Sequence, residues 1–133
     1  MLTRRRFVGC ILCATAGFVA ADAGAQNART SGLKRTILSQ IDGPTEVLIT
    51  VTAKVEIEPG AVIARHTHPG VESGYVIDGE LTLEARGQAA KVLKTGEAFQ
   101  IPTGVPHGGA CDVKTTLIAV YIVEKGKPLA SPA

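Results

Sequence analysis

At 133 residues the chain is long enough for one hydrophobic core and too short for two separately stable ones, so a single domain is expected. Trp is absent, aromatic residues make up 4% and glycines number 15, a mix that suits a small barrel with many tight turns. The formal net charge of +2 belongs to the first residues. Without residues 1–25, fourteen basic residues become eleven and twelve acidic ones become eleven, and the resulting neutral chain excludes nucleic acid and anionic membrane as partners.

The first 25 residues read as a signal peptide. Arg4, Arg5 and Arg6 form a basic start, Phe7 to Ala21 an apolar stretch too short to span a bilayer, and Ala21-Asp22-Ala23 or Ala23-Gly24-Ala25 a small-residue cleavage site. Thr3-Arg4-Arg5-Arg6-Phe7-Val8 resembles a twin-arginine export motif. A Sec-type signal would use the same basic start, and either route delivers the chain to the periplasm or otherwise outside the cytoplasm. A lipid anchor needs a cysteine beyond the apolar stretch, whereas Cys10 and Cys13 lie inside it, so no stable membrane anchor is expected. Cleavage leaves Cys111 alone, which rules out an internal disulfide framework and a cysteine-rich zinc site.

Residues 26–32 are polar and small, as expected of a flexible stub. The domain is expected to run from residue 33 to residue 125. From Val47 to Ile57 every odd position is apolar while the even ones are mostly Thr, Lys and Glu, the alternation of a half-buried strand, which Pro59-Gly60 ends. Asp78-Gly79 stands between Ser73–Ile77 and Glu80–Ala85 and predicts a hairpin. Further strands are expected over Ala89–Leu93, Ala98–Ile101 and Thr115–Val123, with breaks at Arg86-Gly87, Thr95-Gly96 and Pro102 to Pro106. No stretch carries helical periodicity, so the chain is expected to be all-β, an antiparallel sandwich or barrel. Residues 126–133, with Pro128 and Pro132, read as a loop-like C-terminal tail. An exposed N-terminal strand over Leu33 to Gln40 could join a neighbour's edge, and a homodimer is expected.

All three histidines lie beyond the signal. His66 and His68 are separated by one residue, which puts both imidazoles on one face of a strand. Glu72 follows beyond Pro69-Gly70, where a turned chain can bring its carboxylate back to the same cavity, and folding must supply His107. The frame around them is fixed: Gly60, five residues, His66-x-His68, three residues, Glu72, six residues, Gly79; then Gly96, five residues, Pro102-x-Gly104, two residues, His107. Over about Val55 to Cys111 the chain therefore resembles the cupin family through both of its motifs.

The resemblance implies a double-stranded β-helix, a jelly-roll-like barrel, holding one divalent metal through His66, His68, Glu72 and His107. Imidazole nitrogens with a carboxylate oxygen suit Fe, Mn, Ni, Zn or Cu, and in octahedral geometry four protein ligands leave two positions for a small-molecule ligand or substrate. Gly60, Gly79, Gly96 and Gly104 are expected at turns with positive φ. The second motif ordinarily continues to an Asn, where this chain has Cys111. In a regular strand His107, Gly109 and Cys111 share a face, which would put the thiol at the pocket mouth as a substrate contact or, as a small hydrophobe, in the core. Tyr75 is expected on the opposite face, and Glu80 and Glu84 in solvent. Three functions are open: a dioxygenase-like oxidoreductase acting on a small organic molecule, a non-catalytic metal- or ligand-binding module, and an isomerase.

Overall fold

The computed structural model describes residues 32–133, so the expected export signal and the stub up to residue 31 lie outside the described residues. Ten strands follow: β1 (Leu33–Asp42), β2 (Leu48–Ile57), β3 (Val62–Thr67), β4 (Gly70–Asp78), β5 (Glu80–Ala85), β6 (Lys91–Lys94), β7 (Ala98–Ile101), β8 (His107–Ala110), β9 (Thr115–Glu124) and β10 (Ser131–Pro132). They form two five-stranded antiparallel sheets, β1-β2-β9-β4-β7 and β10-β3-β8-β5-β6, the architecture of a double-stranded β-helix.

The alternation read from β2 is what closes the two sheets on each other. Val51, Ala53, Val55 and Ile57 are buried, as are Leu117, Ala119, Tyr121 and Val123 of the neighbouring β9, and they meet Leu81 and Leu93 from the second sheet. Removing such side chains from water is the main stabilising contribution, roughly 1.5–3 kcal/mol for each large aliphatic one. Across the first sheet a row of small residues, Ala53, Ala119 and Gly74, stands in register. A Cβ on Gly74 would lie 2.2 Å from the Phe99 ring, so the glycine gives that ring its place against the sheet.

The predicted hairpin at Asp78-Gly79 does not form. β4 and β5 belong to different sheets, and the chain crosses between them at Gly79. A two-residue type I′ hairpin needs positive φ at both central residues. Here Gly79 has φ 84°, while among the described residues none other than glycine takes positive φ, so Asp78 ends β4 in extended conformation and the chain bends away instead of folding back. The Thr115 side chain fastens this corner by accepting from the Glu80 N–H at 3.2 Å. A Cβ on Gly79 would come within 2.4 Å of the Lys114 carbonyl oxygen. Positive φ is also found at the other three expected turn glycines, Gly60, Gly96 and Gly104.

The tail is more than a loop. Ser131 and Pro132 pair with Thr67 and His66 of β3, and the Ala133 N–H donates to the Arg65 carbonyl at 3.2 Å. Proline is tolerated there because β10 is an edge strand, where one of its neighbours is missing.

Candidate metal centre

Strand β3 carries His66 and, one residue past its end, His68; β8 opens with His107, which stands opposite His66 in register. All three come from the second sheet. Glu72 enters from the first sheet, on β4 between Ile101 of β7 and Tyr121 of β9. The close approach of β8 to β3 depends on Gly108, where a Cβ would lie 2.6 Å from the Ile63 carbonyl oxygen. The outcome is that one ligand atom from each of His66, His68, Glu72 and His107 lies within 4.8 Å of all the others. His66 is half-buried and the other three are buried.

Each imidazole is oriented by a backbone carbonyl that accepts from its Nδ1: Ala64 for His66 at 2.8 Å, Leu129 for His68 at 2.5 Å, and Val105 for His107 at 2.9 Å. Committing the proton to Nδ1 leaves the Nε2 lone pair as the donor to a metal, and holds the ring in place for it. The Nε2 atoms of His68 and His107 stand 3.2 and 2.9 Å from the same Glu72 oxygen, Oε2. In this tautomer these are acceptors facing an acceptor, an arrangement that a shared cation resolves. The buried His68 Nε2 in fact makes no hydrogen bond. An orphaned ring nitrogen beside a carboxylate, with three nitrogen donors and one oxygen donor converging, fits a divalent transition metal.

The electrostatics agree with a ligand set. Burial, assisted by the neighbouring His107 and His68 and opposed by the Ala64 hydrogen bond, lowers the His66 pKa to about 4, so its ring is uncharged at neutral pH. Burial raises the Glu72 carboxyl, and positive charge at the adjoining His107 and His68 nitrogens, carried by a proton or in the ligand form by a metal ion, outweighs that and holds it well below the usual carboxylate range.

Between the two sheets, with His66, Glu72 and His107 in its wall, lies a cavity of about 40 Å³. Its wall is mostly apolar, with Phe99, Leu81 and Leu117 among its members, and it includes Arg35 of β1 and Tyr121 of β9. The Tyr121 ring lies 4.9 Å from that of His68, and the Arg35 guanidinium carbon lies 5.6 Å from the Tyr121 ring centre. Burial and the Glu72 charge push the Tyr121 phenol above its ordinary range, against the opposing effect of Arg35, so it stays protonated.

Cys111 is not brought to this cavity. Strand β8 ends at Ala110, and the next residue is held by a different pattern: its N–H donates to the Ala61 carbonyl and its carbonyl accepts from Gly60. That turns the side chain into the core, where it is 1% exposed and burial raises the thiol pKa. Tyr75 faces outward, 50% exposed, as the alternation along β4 requires. Glu84 is exposed, whereas Glu80 is half-buried at the corner with Thr115. Arg35, Tyr121 and the Leu129 carbonyl were not read as site groups from the sequence. None had a usable signal: even Tyr121 lies in a strand that is apolar at odd and even positions alike from Leu117 to Val123.

A family model described as a cupin domain matches residues 53–123. Among curated proteins the chain is 31% identical over 97 residues to H2HPP isomerase of Bacillus subtilis, covering 71% of this chain and 39% of that protein. It is 32% identical over 82 residues to Germin-like protein 1 of Brassica napus, covering 58% and 40% respectively. The chain thus spans about two fifths of the length of these curated relatives. Among solved structures an RmlC-like cupin from Shewanella frigidimarina is similar at 30% identity and a TM-score of 0.58, over 71% of this chain and 79% of that one.

Proposed function

This chain belongs to the cupin domain family, and from that premise we propose that it is an exported cupin holding one divalent transition metal through His66, His68, Glu72 and His107, and that it acts there on a small organic molecule as a dioxygenase-like oxidoreductase. The observation that carries the reading is the set of three Nδ1–H to carbonyl hydrogen bonds, which turn the ring nitrogens toward an ionised, buried Glu72.

When bound, such an ion supplies Lewis acidity and, for iron, manganese or copper, one-electron chemistry. The protein's own groups do the rest. The apolar wall excludes water, which strengthens the electrostatic contacts within the cavity. Tyr121, held protonated, can donate a hydrogen bond and cannot serve as a base. Outside the four-residue cluster, then, no side chain of the cavity wall among the described residues is a base, and this favours chemistry centred on the metal over proton shuttling by side chains. The identity to the B. subtilis isomerase favours a second reading, a cupin isomerase. Export is supported by the basic, apolar and small-residue succession at the N-terminus, and a homodimer by the outer edge of β1.

The test begins with the mature chain, residues 26–133, and its metal content. Oxygen uptake is then followed against phenolic, diketone and carboxylic substrates. Uptake that disappears in His66→Ala is expected. Turnover that persists without oxygen selects the isomerase, and a metal-loaded protein inert to the whole panel selects a binding module. A chain with no affinity for Fe, Mn, Ni, Zn or Cu removes the metal reading itself.

A further inference from the structure

Strand β9 turns Leu117, Ala119, Tyr121 and Val123 inward, and β4 turns Gly70, Glu72, Gly74 and Val76 inward. Within these rows Tyr121 and Glu72 stand opposite each other in register. Tyr121 is 1% exposed. A phenol oxygen buried to that degree costs stability unless it has a partner, a cost that phenylalanine in the same space would avoid. The Tyr121 ring lies against His68, and its hydroxyl reaches the Glu72 carboxylate on one side and the Arg35 guanidinium on the other.

The chemistry of the two partners sets the direction of the proton. A guanidinium carries donors and no acceptor, so the hydroxyl accepts from Arg35; an ionised carboxylate only accepts, so the hydroxyl donates to Glu72. The Arg35 charge is thereby engaged within the protein, at one end of a chain of polar groups whose other end is Glu72.

Glu72 needs such a donor in the ligand form of the cluster. The Nδ1 protons of His68 and His107 are given to the Leu129 and Val105 carbonyls. Their Nε2 atoms, 3.2 and 2.9 Å from Glu72 Oε2, then have no proton to offer that oxygen. The last torsion of a glutamate side chain is broad, so a carboxylate without a donor can turn and present one oxygen or both. A hydrogen bond from outside the cluster removes that freedom.

We propose that Tyr121 is a positioning residue for Glu72, its hydroxyl holding the carboxylate so that Oε2 stays turned toward the His68 and His107 nitrogens. The inference rests on reading the cluster as the metal site, and it adds the residue that fixes how the one anionic ligand is presented. No bond is made or broken at Tyr121.

Two readouts on the mature chain test it: Zn(II) affinity in a chelator competition, and the Glu72 carboxyl carbon resonance of the Zn(II)-loaded protein. Tyr121→Phe removes the hydroxyl and keeps the ring. In that variant the affinity is expected to fall roughly ten- to a hundredfold, the range for partners one bond removed from a metal, and the resonance to move. Tyr75→Phe, the same change on the exposed face of β4, is expected to leave both at their wild-type values. Either readout unchanged in Tyr121→Phe, or both changed as much in Tyr75→Phe, overturns the positioning role and leaves the metal reading standing. A wild-type chain that takes up no metal overturns both. Should Tyr121→Phe fail to fold, wild type alone decides: the Tyr121 hydroxyl proton is expected as a resolved, slowly exchanging downfield resonance in the Zn(II)-loaded protein, and its absence overturns the inference.

Discussion

His66 is the member of the four-residue cluster through which acidity reaches the site. Its imidazole is half-buried, and burial brings the pKa from the ordinary 6.5 to about 4 in the folded chain. Between those two values the unfolded chain binds a proton that the folded chain refuses. The contribution of His66 to stability is therefore fully present above pH 6.5 and is lost as the pH falls toward 4. Chemical denaturation of the metal-free protein is expected to show stability rising across that window, with a shallower rise in His66→Gln; equal slopes in the two proteins would remove the argument. At this scale the four clustered residues were legible in the sequence because their spacing is fixed by two motifs, and the turn glycines because only glycine takes positive φ without strain. Arg35 was not, since whether a polar residue on β1 faces inward depends on the parity of a strand that slips register between Ile37 and Ser39. Cys111 was left between pocket mouth and core for a related reason: the pocket reading carried strand parity one residue beyond the end of β8, and the core reading holds.

Among the strands, β10 has the most to do with the site for its length. It consists of two residues, yet it pairs with β3 at His66, and the segment leading into it supplies the Leu129 carbonyl that orients His68. Partners of this kind, one bond removed from a metal, change affinity by roughly ten- to a hundredfold when removed. Deleting residues 129–133 is expected to weaken Zn(II) binding by that order in a chelator competition and to release the His68 tautomer, visible in the imidazole nitrogen resonances. Deleting only residues 131–133 leaves the Leu129 carbonyl in place and is expected to preserve the tautomer. Loss of affinity with the His68 tautomer unchanged in the longer deletion would show that the carbonyl does not orient the ring. None of this could be read from the sequence, because a carbonyl has no side-chain signature and its partner lies 61 residues away. The strands themselves were largely legible from alternation, β7 to the residue. Their partners were not, as the corner at Gly79 demonstrates: Asp-Gly signals a change of direction, and only the φ of Asp78 decides whether that becomes a hairpin or a step to the other sheet.

For the molecule as a whole, the two sheets close around the core and the cavity that holds the cluster, but their edges remain. β1 borders the first sheet, and on it Ile37, Leu38 and Ile41 are 47%, 54% and 69% exposed. An edge strand with unpaired backbone groups and apolar side chains is a surface on which a second chain can add its own edge, and it invites aggregation when nothing covers it. A charged residue placed there opposes such pairing, which is how natural sheets keep edges apart. The proposed export adds a second condition, because the chain that would then assemble is the one left after the N-terminal segment is removed. Expression of the full 133 residues is thus expected to yield a periplasmic species beginning near Gln26 by mass spectrometry, and light scattering of that species is expected to give twice its chain mass. Replacing both Arg4 and Arg5 by Lys is expected to keep the precursor in the cytoplasm if the twin-arginine route carries it, whereas a Sec signal would tolerate the change. Ile41→Lys is expected to shift the exported protein to monomer with its metal content unaltered, since Ile41 lies outside the cavity wall. A wild-type protein that already scatters as a monomer would remove the dimer, and an unprocessed cytoplasmic chain would remove the export; neither result alters the four-residue cluster inside the barrel.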